Sequence, residues 1–195
     1  MNITSDAIKA LREKTGISVM QCKKALEEAG GDEEKAIIIL KKKGAEQAAK
    51  KADREFGAGV VASYIHTNNT IGAIVELASE TDFVSNNVEF RTLANDIAMQ
   101  IAAVGPAFLK ASDIDENAKA KAMELFREEV KDKPADLQEK IIEGKLASYF
   151  KDQVLLNQDF IKNPEVTIQT MLDNAMQKFG ERIEIIKFAR FEIGK

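Results

Sequence analysis

The chain has 195 residues, of which 45% are hydrophobic and 31% are charged, a composition typical of folded globular proteins rather than of disordered ones. Lys and Arg number 28 against 32 Asp and Glu, so the formal net charge is -4 and no excess positive charge is available for a nucleic-acid backbone. One cysteine and one histidine exclude an intrachain disulfide framework and disfavour a Cys/His zinc site. The sequence shows no signal peptide and no apolar stretch of membrane length, so we expect a cytoplasmic protein without a membrane partner.

Helix start and stop signals alternate at short intervals between residues 4 and 44. The expected starts are Thr4, Ser18 and Asp32, and the expected ends are Gly16, Gly30 and Gly44. We therefore predict a three-helix domain over residues 1–44. Residues 45–55 (AEQAAKKADRE) are rich in helix formers but poor in apolar side chains, which predicts a solvent-exposed connector helix over residues 45–56.

The hydrophobic period changes to two after Gly57, which marks the start of a core domain over residues 57–195. Alternating apolar residues on both sides of Asn68 and Asn69 predict a β-hairpin, and residues 182–192 predict a third strand with a bulge at Ile185 and Ile186. The intervening sequence predicts a helix containing Phe90, a helical hairpin at about 115–156 and a last helix at about 167–179. The fold class is therefore α+β, with a small antiparallel sheet and packed helices.

The sequence contains no arrangement of residues that predicts catalysis or a bound cofactor or metal ion. His66 lies near the predicted hairpin turn, and Cys22 lies on the inner face of a helix, where a buried thiol is expected. Gly57 and Gly59 precede a strand rather than a helix, so they do not match a phosphate-binding loop. These residues favour a protein that acts by binding and not as an enzyme.

The segment from Glu80 to Val84 connects the second predicted strand to the helix that contains Phe90. Thr81 or Asp82 could be an ordinary N-cap, and Phe83 could be an ordinary core anchor. The residue pattern alone leaves open whether this segment has a function beyond these structural roles.

Short motifs are spread over nearly the whole chain, at residues 11–16 (LREKTG), 20–26 (MQCKKAL), 42–44 (KKG), 81–84 (TDFV), 141–145 (IIEGK), 155–158 (LLNQ) and 190–194 (RFEIG). Each motif is short, but together and in this order they resemble the elongation factor Ts family. Val19 is a departure, because the family often has Met at that position. The core module occurs once here, whereas longer family members carry it twice.

The resemblance implies a first domain similar to ubiquitin-associated domains and a function as guanine-nucleotide exchange factor for elongation factor Tu in its GDP-bound and nucleotide-free forms. Thr81, Asp82, Phe83 and Val84 match the family segment that enters the partner near its magnesium site and disturbs the contacts that hold GDP. In the first domain, the partner-binding residues implied are Arg12, Val19 and Met20.

A single copy of the core module leads us to expect a homodimer, because the predicted sheet leaves edges that a second copy could cover. Two other functions stay open at this stage. The first domain could recognise ubiquitin-like or ribosomal surfaces, or the protein could be an enzyme whose substrate the sequence does not indicate.

Overall fold

The computed structural model describes residues 3–51, 53–131 and 134–194, and it confirms the α+β class. The chain begins with helices α1 (Ser5–Thr15), α2 (Val19–Glu28) and α3 (Glu33–Lys50). The Thr4 hydroxyl accepts a hydrogen bond from the Ala7 amide, at 3.3 Å, and Gly16 ends α1 with a φ of 69°. The predicted starts of these three helices are therefore confirmed. Their shared core contains Leu11, Ile17, Cys22, Ala25, Leu26, Ala36 and Leu40.

The predicted helix end at Gly44 is wrong, because α3 continues through this residue to Lys50. Residues 45–50 are good helix formers, and α3 packs against a later helix of the core, so nothing stops the helix at the glycine. Lys51, expected on a solvent-exposed connector, is only partly exposed, and its Nζ donates a hydrogen bond to the Met176 carbonyl at 3.2 Å. The division into domains at residues 44 and 56 stays a prediction.

The predicted β-hairpin is confirmed by strands β1 (Ala58–Ile65) and β2 (Ile71–Ser79), which pair antiparallel. A short helix, α4 (Asp82–Ser85), follows β2 directly and leads into the long helix α5 (Val88–Val104). The Asn87 side chain accepts from the Glu89 amide at 2.8 Å and caps α5, which ends at Gly105 with a φ of 68°.

The two predicted helices of the hairpin are present as α6 (Glu116–Val130) and α7 (Ala135–Gln153), which pack against each other around a small core of their own. A two-stranded ribbon then follows, β3 (Asp159–Phe160) and β4 (Asn163–Thr167), which the sequence analysis did not predict. The buried Gln100 side chain of α5 holds this ribbon, because it donates to the Asp159 carbonyl at 3.2 Å and accepts from the Ile161 amide at 3.0 Å. Such a contact over about sixty residues has no local sequence signal.

The chain ends with helix α8 (Ile168–Phe179), which Gly180 terminates with a φ of 75°, and strand β5 (Ile183–Glu192). Strand β5 pairs antiparallel with β2, so the sheet order is β1-β2-β5. The pairing shifts by one residue between Leu77, opposite Ile185, and Glu76, opposite Lys187, which confirms the predicted bulge.

One face of the sheet and helices α5 and α8 enclose the main core, with Leu77, Phe90, Ile97, Ile101, Ile168 and Ile183 among its fully buried side chains. Within the described ranges, none of the helices combines the length and the apolar character that a membrane span requires. The short helix α4 lies at the edge of this core, where β2 ends.

Candidate partner-binding site

Residues 81–84, at the start of α4, form a turn that presents the aromatic side chain of Phe83 to solvent. We call this segment the exposed turn. Phe83 is 82% exposed, and Asp82 beside it is also exposed. Val84 is 1% exposed and belongs to the main core. The structural role considered for Phe83 as a core anchor is therefore wrong, since Val84 performs it.

Thr81 fixes the start of this exposed turn through a distant carboxylate rather than through a helix cap. Its amide donates to Glu181 Oε2 at 3.0 Å, and its hydroxyl donates to Glu181 Oε1 at 2.6 Å. Thr81 occupies the N-cap position of α4, but its side chain makes no capping hydrogen bond. The ordinary N-cap role considered for Thr81 is thus replaced by a contact with a residue 100 positions later.

The far end of the exposed turn is held by Arg91 of α5. Arg91 Nε donates to the Ser85 carbonyl at 3.2 Å, and one of its terminal nitrogens donates to Asn86 Oδ1 at 2.7 Å. The Ser79 hydroxyl also donates to the Thr81 carbonyl at 3.0 Å. The backbone of the turn is therefore held on both sides, while the Phe83 side chain stays in solvent.

Glu80, which precedes the turn, is the centre of a charged cluster. Both of its oxygens accept hydrogen bonds from Arg54, at 3.0 and 3.1 Å, and Oε1 also accepts from the Arg182 amide at 2.5 Å. Partial burial raises the pKa of Glu80, but the hydrogen bonds from Arg182 and Arg54 outweigh it, so the pKa lies below its ordinary value. The guanidinium of Arg182 in turn stacks on Phe56, 4.3 Å from the ring centre.

Gly57 and Gly59 lie beside the same cluster, and their role is steric. A Cβ at Gly57 would lie 2.8 Å from the Glu80 carbonyl oxygen, and one at Gly59 would lie 2.6 Å from that of Leu77. Glycine is needed at both positions because β1 approaches the end of β2 so closely. These glycines thus help to place the base of the exposed turn.

The other predicted contact residues form an N-terminal patch, defined here as Arg12 on α1 and Val19 and Met20 in the first turn of α2. All three are exposed, Met20 by 63% and Val19 by 52%. The Ser18 hydroxyl caps this turn, since it accepts from the Gln21 amide at 3.4 Å and donates to Gln21 Oε1 at 2.9 Å. The two apolar residues beside Ser18 differ in exposure, because Ile17 is buried in the helical core and Val19 faces solvent.

The N-terminal helices are attached to the core along α8. The α3 backbone at Gly44 packs against α8, and a Cβ at Gly44 would lie 3.4 Å from the Asp173 Cβ, an ordinary contact distance. Asn174 Nδ2 also donates to the Thr15 carbonyl at 3.1 Å. These contacts fix the N-terminal patch relative to the sheet that carries the exposed turn.

The two residues with reactive side chains lie outside these regions. Cys22 is buried, its Sγ donates to the Ile17 carbonyl at 3.6 Å, and burial raises the pKa of its thiol. His66 lies at the end of β1, with Nδ1 3.3 Å from the Tyr64 hydroxyl. Among the described residues, no group of three or more His, Cys, Asp or Glu side chains is placed to hold a metal ion.

Sequence reasoning did not find Glu181, Arg91, Arg54 or Arg182, although all four fix the exposed turn or its base. Residues 181 and 182 follow the glycine that ends α8, and that position alone indicates a loop. Their pairing with Thr81 and Glu80 depends on β5 lying beside β2, which brings together residues about a hundred positions apart.

Comparison with known proteins agrees with the motifs seen in the sequence. A family described as "Elongation factor TS" matches residues 7–195. "Elongation factor Ts" of Thermodesulfovibrio yellowstonii is 48% identical over 196 residues, covering 100% of this chain and 98% of the relative. The protein of the same name from Thermosipho melanesiensis is 46% identical over 195 residues, covering 99% of this chain and 100% of that protein. The chain therefore belongs to the elongation factor Ts family of translation elongation factors.

Proposed function

We propose that the chain is a guanine-nucleotide exchange factor for elongation factor Tu, which it binds in the GDP-bound and nucleotide-free forms. It acts by binding in the cytoplasm and catalyses no reaction of its own. The observation that carries this proposal is the exposed turn, where an aromatic side chain that is 82% exposed sits on a backbone fixed by charged hydrogen bonds. A side chain held in this way is suited to enter a pocket of a partner.

Nucleotide exchange requires that the factor and GDP weaken each other's binding by the same ratio. A thousandfold acceleration of GDP release by destabilising the bound state takes about 4 kcal/mol. Complete burial of a Phe side chain supplies only about 1.5 to 3 kcal/mol. Phe83 alone is therefore insufficient, and a second contact must supply the remaining free energy.

The N-terminal patch is our candidate for this second contact. Arg12 offers a cation, while Val19 and Met20 offer apolar surface that the chain itself does not cover. Methionine is common at binding surfaces because its flexible side chain adapts to a partner. We assign affinity to this patch and displacement of the nucleotide to the exposed turn.

Within the exposed turn, the four residues have different roles in this proposal. Asp82 and Phe83 contact the partner near its magnesium site, and the carboxylate of Asp82 disturbs the water or protein ligands of the ion. Thr81 fixes the backbone through Glu181, and Val84 anchors the turn in the core. The side chains of Asp82 and Phe83 are exposed, and among the described residues no hydrogen bond or ion pair engages the Asp82 carboxylate.

The test is the rate at which labelled GDP leaves purified elongation factor Tu, with and without the protein, in the presence of excess unlabelled GDP. We expect release to accelerate and to saturate as the protein concentration rises. A release rate equal to the intrinsic one would contradict the proposal. Purification with ribosomal or ubiquitin-like proteins in place of elongation factor Tu would instead favour a different binding module.

We further propose that the protein forms a homodimer through the outer face of the sheet, the face turned away from α5 and α8. One-sided antiparallel sheets are normally polar on the solvated face. Here that face carries large exposed apolar side chains: Val61, Ile65, Ile74, Phe191 and Ile193. All of these except Val61 border a groove of about 530 Å³ at the turn end of the β1–β2 hairpin. A second copy could pack the same face against it in two-fold symmetry, so the face supports pairing better than the sheet edges that the sequence suggested.

Light scattering at micromolar concentrations tests the dimer. We expect the mass of two chains for the wild type and of one chain for Phe191→Lys, with Leu125→Lys as a control because Leu125 is an exposed apolar residue of the helical hairpin. A wild-type monomer with full exchange activity would rule out pairing as a functional requirement.

A further inference from the structure

Glu181 is a conspicuous residue near the exposed turn, because it lies outside the family motif seen in the sequence and yet contacts the turn directly. It is part of the short connection between α8 and β5 and is half-buried. Each of its two carboxylate oxygens accepts one hydrogen bond from Thr81, the amide at 3.0 Å and the hydroxyl at 2.6 Å. Hydrogen bonds to an ionised acceptor are stronger than those between neutral groups.

The exposed turn needs such support from outside. Helix α4 has only four residues, too few for its own hydrogen bonds to compensate for the ordering of its backbone. The Thr81 hydroxyl donates to Glu181 and accepts no capping hydrogen bond from the amides of α4, so the start of α4 has no side-chain cap. The position of Asp82 and Phe83 thus depends on what holds Thr81 before them and Val84 after them.

We infer that Glu181 is a positioning residue for nucleotide exchange, which keeps the exposed turn in the conformation that presents Asp82 and Phe83. This inference rests on the proposed function. A preorganised contact segment avoids the entropy loss of becoming ordered in the complex. Because the N-terminal patch binds separately in the proposed function, a disordered turn leaves the complex formed but less able to release GDP.

The experiment compares GDP release from elongation factor Tu across a concentration series of each variant. Glu181→Gln keeps the size of the side chain but removes its charge and one acceptor oxygen. We expect the maximal release rate to fall by about threefold to tenfold, the range that corresponds to the net contribution of a typical intramolecular hydrogen bond. The half-saturating concentration should change by less than about twofold, since the N-terminal patch is intact.

Further variants separate positioning from general damage. Glu55→Gln removes the same charge next to Arg54, and Glu55 has no hydrogen-bond or ion-pair partner among the described residues, so it should behave as wild type. Thr81→Ser keeps both donors, so its deuterium uptake over residues 79–86 should match that of wild type. Thr81→Val removes the hydroxyl that donates to Glu181. In the double variant with Glu181→Gln, the maximal rate should fall by less than the product of the two single reductions, because both substitutions remove the same hydrogen bond.

Deuterium uptake by residues 79–86 gives a second measurement that does not depend on exchange activity. We expect faster uptake in Glu181→Gln, with an unchanged rate in Glu55→Gln and no more than a small change in melting temperature. Wild-type uptake and a wild-type maximal rate in Glu181→Gln would overturn the inference, as would an effect confined to the half-saturating concentration. If the wild-type protein itself fails to release GDP, the proposed function fails, while deuterium uptake still decides whether Glu181 orders the turn.

Discussion

The N-terminal patch and the exposed turn both present apolar side chains from the first turn of a helix, but they are held in different ways. At the start of α2, Ser18 bonds to Gln21, three residues later. At the start of α4, Thr81 bonds to Glu181, 100 residues later. Local neighbours thus define the first surface, whereas the pairing of β2 with β5 defines the second.

This difference indicates how the two surfaces respond to change. A helix start that depends on its own sequence keeps its shape when distant residues are altered. A turn held across the sheet is sensitive to any residue that moves β5 relative to β2. We therefore expect variants of the two regions to affect different parameters of exchange.

The largest expected effect comes from Phe83→Ala. Since Phe83 is 82% exposed, its removal creates no cavity and should leave the melting temperature within a few degrees of wild type. The maximal rate of GDP release should fall at least tenfold, because about 1.5 to 3 kcal/mol of buried apolar contact is lost. Measurement at saturating concentration isolates this effect.

Leu125→Ala is the matched control for Phe83→Ala, because it also truncates a large exposed apolar side chain, on α6. It should retain the wild-type rate. A Phe83→Ala variant that exchanges normally, or that loses activity only by unfolding, would show that the exposed turn is not the part that displaces GDP.

A smaller and different effect is expected from Met20→Ala in the N-terminal patch. Truncation of a well-packed contact residue costs about 1 kcal/mol or more, so the half-saturating concentration should rise roughly fivefold. The maximal rate should stay close to wild type. Ile38→Ala serves as the control, because Ile38 on α3 is 65% exposed and lies outside the patch. A fall in maximal rate for Met20→Ala would contradict the separation of roles.

Much of the fold could be predicted from the sequence, because its signals are local. Caps at Thr4 and Ser18, glycine ends at Gly16 and Gly180, and the alternation along β1 and β2 each act over a few residues. The β3–β4 ribbon was missed for the opposite reason, since the buried Gln100 that holds it belongs to α5.

The candidate site was predicted from the family motif and not from local physics. Local rules allowed Phe83 to be a core anchor, whereas the structure gives that position to Val84. Residues such as Glu181 and Arg54 could not be assigned from the sequence, because their partners become neighbours only when the sheet has formed.

The substitution Gly44→Ala tests whether α3, which connects the N-terminal patch to the core, continues through this position. In the continuous helix α3, Gly44→Ala should raise the free energy of unfolding by about 0.5 to 1 kcal/mol, since glycine is a poor residue inside a helix. The added Cβ would lie 3.4 Å from the Asp173 Cβ, an ordinary contact. Gly180→Ala is the opposite control, because its φ of 75° should make the same substitution destabilising. Destabilisation by both substitutions would favour a helix end at Gly44.

The smallest expected effect concerns Glu80 at the base of the exposed turn. Its folded-state pKa lies below the ordinary value of 4.5, so its ionised form stabilises the fold above that pH and the contribution is lost as the pH falls through the folded pKa. Glu80→Gln should therefore be less stable than wild type at pH 7, by about 1 kcal/mol or less, with the difference closing in acid. Urea unfolding at several pH values measures it.

Asp173 provides the comparison of opposite sign for the Glu80 experiment. Burial raises the pKa of Asp173, although a hydrogen bond from Gln169 acts in the other direction, so its ionised form opposes folding. That penalty is fully present above the folded pKa and disappears as the pH falls below the ordinary value of 3.8. Asp173→Asn should thus be more stable than wild type at pH 7 and equal to it in acid. If the stability difference from wild type changed with pH in the same direction for both variants, the opposite pKa shifts of Glu80 and Asp173 would be contradicted.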